Sequence, residues 1–211
     1  MITVKKAGDL CAAIYGTIAP GVFDKTFSAG QVTCGYAFID GVATFTFAGS
    51  ETSTDWVRDF TAIPYEHPYL GVLHLGFWEG MLDAWLETKD LLKGDIAIQG
   101  HSLGGAHAQI FAGQCGIAGI RIGKLTLFAP PRAGCQRLRG VVVSTCDEII
   151  GFRNGFDPVP HVPIPIIGFP CTHVVELNKI FVPPGGSLTW DDIDPMDWHS
   201  LDLYRKGTDK Y

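Results

Sequence analysis

A serine between two glycines marks the stretch GHSLG, Gly100–Gly104, which fits the pattern G-x-S-x-G. The preceding segment Asp95–Gly100 has the apolar pattern of a buried strand, and the following segment Ser102–Gln114 has that of a helix. In this context the motif predicts a sharp turn that projects the serine hydroxyl outward, with glycines where side chains would collide with backbone. The helix would also direct free N–H groups and the positive end of its dipole at the site. Ser102 is therefore the candidate nucleophile.

A serine hydroxyl is a weak nucleophile unless a base takes its proton and an acid orients that base. At strand–turn–helix sites of this kind, the acid and then the histidine follow the serine along the chain. The candidate bases are His161, His173 and His199, and the candidate acids are Asp147, Glu148, Asp157, Glu176 and the acidic stretch Asp191–Asp197. Chain order leaves this choice open, and a glycine-rich turn with an incidental serine is the simpler alternative.

Local sequence distinguishes two of these candidates. Asp157 lies in FRNGFDPVPHVP, where prolines at positions 158, 160 and 163 stiffen the loop. A carboxylate that fixes the tautomer of an imidazole needs such a rigid loop. His199 lies in MDWHSLDLY, at the start of a helix-like segment. His101 is adjacent to Ser102 in sequence, and we expect its side chain to point away from the serine and to pack in the core.

The elements that must position these residues alternate between strands and helices. GYAFIDGVATFTFAGS predicts two strands joined by a hairpin turn at Asp40-Gly41, and apolar residues at helical spacing predict one helix over Phe77–Lys93 that ends at Gly94. Further strands are predicted at Lys124–Ala129 and Glu148–Arg153, a first helix near the N-terminus and a last one at Asp197–Lys206. Apolar strands that alternate with helices indicate an α/β fold with a mostly parallel sheet covered on both faces.

The composition limits the class of protein. The 211 residues, 46% hydrophobic and 18% charged, predict one folded domain over residues 1–211. A net charge of −6 argues against nucleic acid as a partner, and no apolar run approaches the roughly 20 residues of a membrane span. The N-terminal MITVKKAGDLCAAIYG lacks the uninterrupted apolar core of a signal peptide, so the expectation by default is a cytoplasmic protein.

Six segments, taken in order, resemble the class 3 lipase family of the α/β-hydrolases, which contains fungal lipases and feruloyl esterases. They are FAGSETSTDWVRD, VLHLGFWEG, GHSLGGAHAQI, FAPPRAG, FRNGFDPVPHVP and DWHSLDLY. The resemblance implies an α/β-hydrolase fold with reduced loops, since many members are longer than this chain. By position it implies that Ser102 is the nucleophile, Asp157 the acid and His199 the base. It also implies an oxyanion hole formed by Ser50, which follows Gly49, and by the N–H group of Leu103.

The resemblance also implies a lid after Ser50. That segment here is ETSTDWVRDF, in which Trp56, Val57 and Phe60 could form a small apolar face, and a fixed surface helix is the alternative. The chain has Ala48 before the oxyanion glycine, where the family usually has Arg or another large residue.

The expected function is that of a serine carboxylic-ester hydrolase, a lipase or esterase that forms an acyl-enzyme on Ser102. Its expected partners are an acyl-ester or lipid substrate and, transiently, a lipid interface, with no cofactor. The alternatives are a feruloyl or short-chain esterase without lipase activity, an acyltransferase, and a catalytically silent scaffold that binds a partner or lipid.

No metal site is expected. The four aspartates of TWDDIDPMDWH could suggest calcium, but they lack the spaced ligands and the glycine of a known calcium loop, so a solvated acidic loop is favoured. The six cysteines have no zinc-ligand spacing, and the sequence leaves open whether they form disulfides.

Overall fold

The computed structural model describes residues 1–16, 21–49, 63–166, 169–185 and 194–211. Several predictions of the sequence analysis lie outside these ranges. They concern the oxyanion residue Ser50, the lid residues Trp56, Val57 and Phe60, and the first part of the acidic stretch, Asp191–Ile193.

A seven-stranded sheet forms the centre of the fold. Its strands lie in the order β1-β2-β3-β6-β7-β8-β9, in which β2 runs antiparallel to both β1 and β3, and β3, β6, β7, β8 and β9 are mutually parallel. The strands are β1 (Lys25–Ala29), β2 (Val32–Ile39), β3 (Val42–Phe47), β6 (Asp95–His101), β7 (Ile122–Phe128), β8 (Cys146–Asn154) and β9 (Leu177–Ile180). A separate antiparallel pair consists of β4 (Pro64–His67) and β5 (Gly71–His74).

Helices cover both faces of this sheet. They are α1 (Val4–Ile14), α2 (Leu75–Trp78), α3 (Met81–Thr88), α4 (Leu103–Ile117), α5 (Gln136–Thr145) and α6 (Leu201–Gly207). Residues of α1 and α6 pack in one apolar cluster and residues of α2 to α5 in another. The predicted α/β architecture, with a mostly parallel sheet between two helical layers, is therefore confirmed.

The alternation of side chains along the central strands explains the two layers. In β6, Ile96 and Ile98 pack in the cluster of α2 to α5, while Ala97 between them packs in the cluster of α1 and α6. Successive strand residues point to opposite faces, so a sheet buried on both sides needs apolar or hydrogen-bonded residues at every position. β3 is buried along its whole length for the same reason.

The hairpin predicted at Asp40-Gly41 is confirmed. Ile39 pairs with Val42 across a two-residue turn in which Asp40 and Gly41 have φ angles of 50° and 83°. Positive φ at both central positions is the conformation that matches the twist of a two-residue hairpin.

The single helix predicted over Phe77–Lys93 is wrong. α2 ends at Trp78, α3 begins at Met81, and a 3₁₀ turn, Lys89–Leu91, follows α3. The break lies at Gly80, which has a φ of 84° and whose added Cβ would lie 2.2 Å from the carbonyl oxygen of Ala29. Close packing against β1 therefore breaks a segment whose apolar spacing alone favours one helix.

The last helix is also divided, into a 3₁₀ turn at Pro195–His199 and α6. Elements without a sequence prediction are β1, β4, β5, α5 and β9. All six cysteines are among the described residues and are free thiols. In the parts of the chain that the structure describes, no helix is long and apolar enough to cross a membrane.

Candidate active site

The turn between β6 and α4 holds Ser102 in an unusual backbone conformation. Ser102 has a φ of 58° and a ψ of −130°, and its N–H group donates a hydrogen bond to the carbonyl oxygen of Phe128 at 3.0 Å. A positive φ is uncommon for a residue with a side chain, and such strained residues concentrate at functional sites. The turn lies at the carboxyl ends of β6 and β7, the edge of the parallel sheet at which the loops that follow the strands lie side by side.

The two glycines of the motif are required by close backbone contacts. A Cβ on Gly100 would lie 2.1 Å from the carbonyl oxygen of Gly104, and a Cβ on Gly104 would lie 2.1 Å from that of Phe47. Real Cβ atoms do not approach backbone below 3.0 Å. The predicted steric reason for the two glycines is therefore confirmed. Gly104 has a further role, because a side chain at this position would prevent the close approach of α4 to β3.

Replacing Gly104 with alanine should lower the free energy of unfolding by about 3 kcal/mol, because the new methyl group must displace the β3 backbone. Gly140→Ala is the matched control, since Gly140 is also helical and its added Cβ has no neighbour within 4 Å. That control should raise stability by up to about 1 kcal/mol through helix propensity. Urea denaturation of both variants measures the difference, and equal effects would contradict the steric account.

His199 lies between Ser102 and Asp157. Its Nε2 atom is 2.8 Å from Ser102 Oγ, and its Nδ1 atom is 2.9 Å from Asp157 Oδ2. All three residues are at most 3% exposed. Because a carboxylate only accepts, Nδ1 carries the imidazole proton, so Nε2 is the acceptor that faces the serine hydroxyl. The structure thus brings together the three residues that the resemblance implied.

The Asp157 carboxylate is held by two further donors. Its Oδ1 atom accepts the N–H of Val159 at 2.9 Å, within the 3₁₀ turn Val159–His161 that the surrounding prolines support. Its Oδ2 atom accepts the hydroxyl of Tyr204 at 2.5 Å. These bonds fix the orientation of the carboxylate that contacts His199. The proline-rich loop around Asp157 contributes to this, because it positions the N–H of Val159.

Tyr204 is a site residue that sequence reasoning missed. It is fully buried on α6, and its hydroxyl also accepts the N–H of Asn154 at 2.8 Å. Burial and then the charge of Asp157 raise the pKa of this phenol well above its usual range, so it remains a hydrogen-bond donor. Its position five residues after His199, in the helix that follows, is the only signal the sequence offers.

Tyr204→Phe should lower the free energy of unfolding by about 2 kcal/mol, since it leaves the buried Asn154 N–H without an acceptor. It should also lower kcat for ester hydrolysis, by about tenfold, because Asp157 loses a donor. Tyr36→Phe, on β2 away from this site, is the matched control. Urea denaturation and steady-state kinetics check the two effects, and an unchanged kcat would show that Val159 alone suffices to hold the carboxylate.

A second hydrogen-bond network joins His101 to His199 on the other face of the ring. The His101 ring stacks on that of His199 at 4.7 Å between centroids, and its Nε2 lies 3.0 Å from the carbonyl oxygen of His199. Nε2 is therefore the donor, and Nδ1 accepts from the Tyr15 hydroxyl at 3.0 Å. Tyr15 Oη in turn accepts the N–H of Gly49 at 2.9 Å.

This network changes the interpretation of His101. The ring packs in the interior as expected, but it also carries hydrogen bonds that connect Tyr15 at the end of α1 with the backbone of His199. Burial and then the neighbouring His199 lower the pKa of His101 well below its usual range, so its ring is neutral and can donate and accept at once. Tyr15 carries no motif and could not be found from sequence.

The other candidate bases and acids have different surroundings. His161 is exposed, and His173 donates through Nε2 to the carbonyl oxygen of Pro160 at 2.7 Å. Among the acids, Asp147 forms an ion pair with Arg121, and Glu148 forms one with Lys124 at 2.9 Å. In the acidic stretch, Asp194 and Asp197 form a reciprocal capping box that begins the 3₁₀ turn leading to His199.

Leu103 is the first residue of α4 and is buried. The first N–H groups of a helix have no acceptor within it. Its N–H group therefore lies beside Ser102 without an intrahelical partner, as an oxyanion donor would require, while Ser50 falls outside the described residues. Across the ranges that the structure describes, no group of three or more His, Cys, Asp or Glu residues could hold a metal ion.

The mostly parallel sheet presents Ser102 on a sharp strand-to-helix turn, and Asp157 and His199 follow it in chain order. This arrangement defines an α/β-hydrolase. The family model for class 3 lipases matches residues 44–166, more than half of the chain, so the protein belongs to that family.

Relatives with known names agree with this assignment. The secreted mono- and diacylglycerol lipase A of Penicillium cyclopium is 28% identical over 201 residues, which cover 89% of this chain and 65% of that protein. The chain thus spans somewhat less than two thirds of that relative. A lipase of Rhizomucor miehei is 30% identical over 145 residues, covering 58% of this chain and 38% of the relative.

Solved structures show the same fold. The triacylglyceride lipase of Rhizomucor miehei superposes with a TM-score of 0.66 at 25% identity, covering 85% of this chain and 78% of that structure. The lipase of Rhizopus microsporus var. chinensis superposes with a TM-score of 0.68 at 19% identity, covering 84% and 72%. The predicted α/β-hydrolase fold and class 3 lipase membership are therefore confirmed.

Proposed function

We propose that this protein is a serine carboxylic-ester hydrolase that cleaves lipid acyl esters through an acyl-enzyme on Ser102. The observation that carries this proposal is the position of His199, which is 2.8 Å from the serine oxygen and 2.9 Å from the Asp157 carboxylate. The neutral ring has its acceptor nitrogen at the hydroxyl and its donor nitrogen at the acid, the arrangement needed to activate a serine.

In the proposed reaction, His199 Nε2 takes the Ser102 proton while Oγ attacks the ester carbonyl carbon. The negative charge that develops on the carbonyl oxygen is stabilised by the N–H of Leu103, and Ser50 is the proposed second donor by its place in the family motif. One such donor contributes about 3–4 kcal/mol to transition-state stabilisation. Collapse of the intermediate breaks the ester C–O bond, and His199 gives its proton to the departing alcohol.

Deacylation repeats these steps with water. His199 takes a proton from the water, whose oxygen attacks the acyl carbon, and then returns a proton to Ser102 as the carboxylic acid leaves. Asp157 remains ionised and stabilises the imidazolium in both half-reactions. All protons are accounted for by the two residues and the water, so the residues named here suffice for the reaction.

Lipid esters are the proposed substrates because the relatives are named as mono- and diacylglycerol and triacylglyceride lipases. Such a substrate implies transient contact with a lipid interface. The complete hydrogen-bonded chain from Ser102 to Tyr204 makes a silent binding scaffold the weaker alternative, since a protein that only binds has no need of it.

The test has two parts on the full chain. Labelling with a fluorophosphonate, followed by peptide mass spectrometry, should modify Ser102 and no other serine. Rates on p-nitrophenyl esters from acetyl to palmitoyl then define the chain-length preference. A maximum at long chains supports a lipase, and a maximum at acetyl or butyrate would replace it with a short-chain esterase. Failure of both labelling and turnover would refute the proposal.

A further inference from the structure

A cavity of about 600 Å³ lies beside the loop that carries Asp157. Its walls come from the end of β8, from α5, from the loop after β7 and from the segment 171–177. This volume is in the range of small-molecule sites. None of the three hydrogen-bonded residues Ser102, Asp157 and His199 lines it, so it is separate from the site described above.

The cavity concentrates positive charge in an acidic protein. Three arginines line it, Arg132, Arg139 and Arg153, against one carboxylate, that of Glu176. The whole chain, in contrast, has 22 acidic and 16 basic side chains. Guanidinium groups gathered around a concavity bind anions well, because each presents several N–H donors in a fixed plane.

The donors of these arginines are largely unused. Arg132 donates through Nη1 to the carbonyl oxygens of His161 and Pro163, at 2.5 Å and 2.8 Å, which fixes its guanidinium at the cavity wall. The side chains of Arg139 and Arg153 make no hydrogen bond or ion pair to any residue that the structure describes. Elsewhere, Arg121 and Arg205 pair with carboxylates.

The arginines lower the pKa of two histidines in the cavity wall, in addition to the effect of burial. Burial and then Arg153 and Arg132 lower the pKa of His161, and burial with a contribution from the same arginines lowers the pKa of His173 to about 4. Both rings are neutral near pH 7, so the arginines alone supply the cavity's positive charge. A bound anion would offset the mutual repulsion of these guanidinium groups.

The cavity also has apolar lining residues. Pro165 lines it, and the adjacent Ile164 and Ile166 are 72% and 54% exposed. Val175 and Leu177 add apolar surface within the wall. A ligand that complements both parts has an anionic group for the arginines and an apolar or glycerol-like portion toward Pro165, Val175 and Leu177.

We propose that this cavity binds a phosphate monoester, carried either by the headgroup of an anionic lipid or by a soluble organic phosphate. A phosphate monoester brings close to two negative charges and three acceptor oxygens, which matches three guanidinium groups better than a single carboxylate does. The proposal does not depend on ester hydrolysis, because none of these residues touches the serine, and it can be tested by binding alone.

The first experiment is calorimetric titration of glycerol 3-phosphate into the full chain at fixed ionic strength, since salt screens such contacts. Arg153→Gln and Arg139→Gln should each weaken binding by about tenfold or more. Arg137→Gln is the matched control, because Arg137 is an exposed arginine on the same helix as Arg139 and does not line the cavity. Arg139 is itself exposed, so its variant reports on binding even where Arg153→Gln fails to fold.

The second experiment distinguishes the two sources of phosphate. Sedimentation with phosphatidylcholine vesicles, with and without phosphatidic acid, uses the Ser102→Ala chain so that the lipids stay intact. Binding that requires phosphatidic acid and Arg153 identifies a lipid headgroup, and binding of glycerol 3-phosphate alone identifies a soluble ligand. The proposal is overturned if neither probe binds, or if Arg137→Gln weakens binding as much as Arg153→Gln.

Discussion

Ester hydrolysis should fall by about 10⁵-fold in kcat when Ser102 is replaced with alanine, with no loss of folded protein. The variant removes the atom that attacks the carbonyl, whereas the oxyanion donor at Leu103 and the substrate contacts remain. The small residual rate over water would come from those contacts. Measurement of kcat on p-nitrophenyl esters, with far-ultraviolet circular dichroism to check the fold, gives the result.

Ser144→Ala is the matched control for this prediction. Ser144 lies on α5, is exposed and donates only to the carbonyl oxygen of Val141. Its replacement should leave kcat unchanged. Retention of most activity in Ser102→Ala would mean that another group attacks the ester, and the proposed acyl-enzyme would have to be abandoned.

His199→Ala should lower kcat by a similar factor, because Ser102 then has no base within hydrogen-bond reach. The double variant with Ser102→Ala should be no slower than either single one, since residues that act as a unit are not additive. Steady-state kinetics on all three variants tests both statements. Additive losses would indicate that the two residues act independently.

His161→Ala and His173→Ala serve as controls for the base. Both residues fit the chain order of a base, but His161 is exposed and His173 is bonded to Pro160. Neither replacement should reduce kcat by more than a few-fold. A larger loss in either variant, with activity retained in His199→Ala, would reassign the base.

The two networks around His199 explain how this buried hydrogen-bonded site is held rigid. Asp157 is fixed by Val159 and Tyr204 on one side of the ring, while His101 and Tyr15 hold the backbone of His199 on the other. Catalytic groups must be held within fractions of an ångström of their productive geometry. Buried hydrogen bonds from separate elements provide that precision here.

The residues next to Ser102 in sequence determined the turn that holds it. The apolar run before Ser102, the helix after it and the two glycines each follow from short-range sterics, so strand, turn and helix could be predicted from adjacent residues alone. The hairpin at Asp40-Gly41 could be predicted for the same reason, because positive φ at two successive positions depends only on the residues in the turn.

Chain order and loop stiffness reduced the number of candidate acids and bases but did not select one of each. Asp157 and His199 are 42 positions apart, and His199 and Ser102 are 97 apart. The family motifs indicated all three residues, and the tertiary structure places His199 within 3 Å of both Ser102 Oγ and Asp157 Oδ2. Sequence spacing cannot show this, because the order of strands in the sheet determines which loops meet.

Only the tertiary structure revealed the residues that support His199 and the break in the helix predicted over Phe77–Lys93. Tyr15 and His101 are 86 positions apart, and neither carries a pattern that links them. Gly80 ends a helix because β1 passes too close for a side chain, and apolar periodicity contains no information about that neighbour. The arginine-lined cavity arises in the same way, from three residues on separate elements that the parallel sheet brings to one place. Turn conformations depend on the sterics of adjacent residues and can therefore be predicted from short segments. Contacts between distant residues, and the clustering of their charges, are determined only when the strands assemble into the sheet.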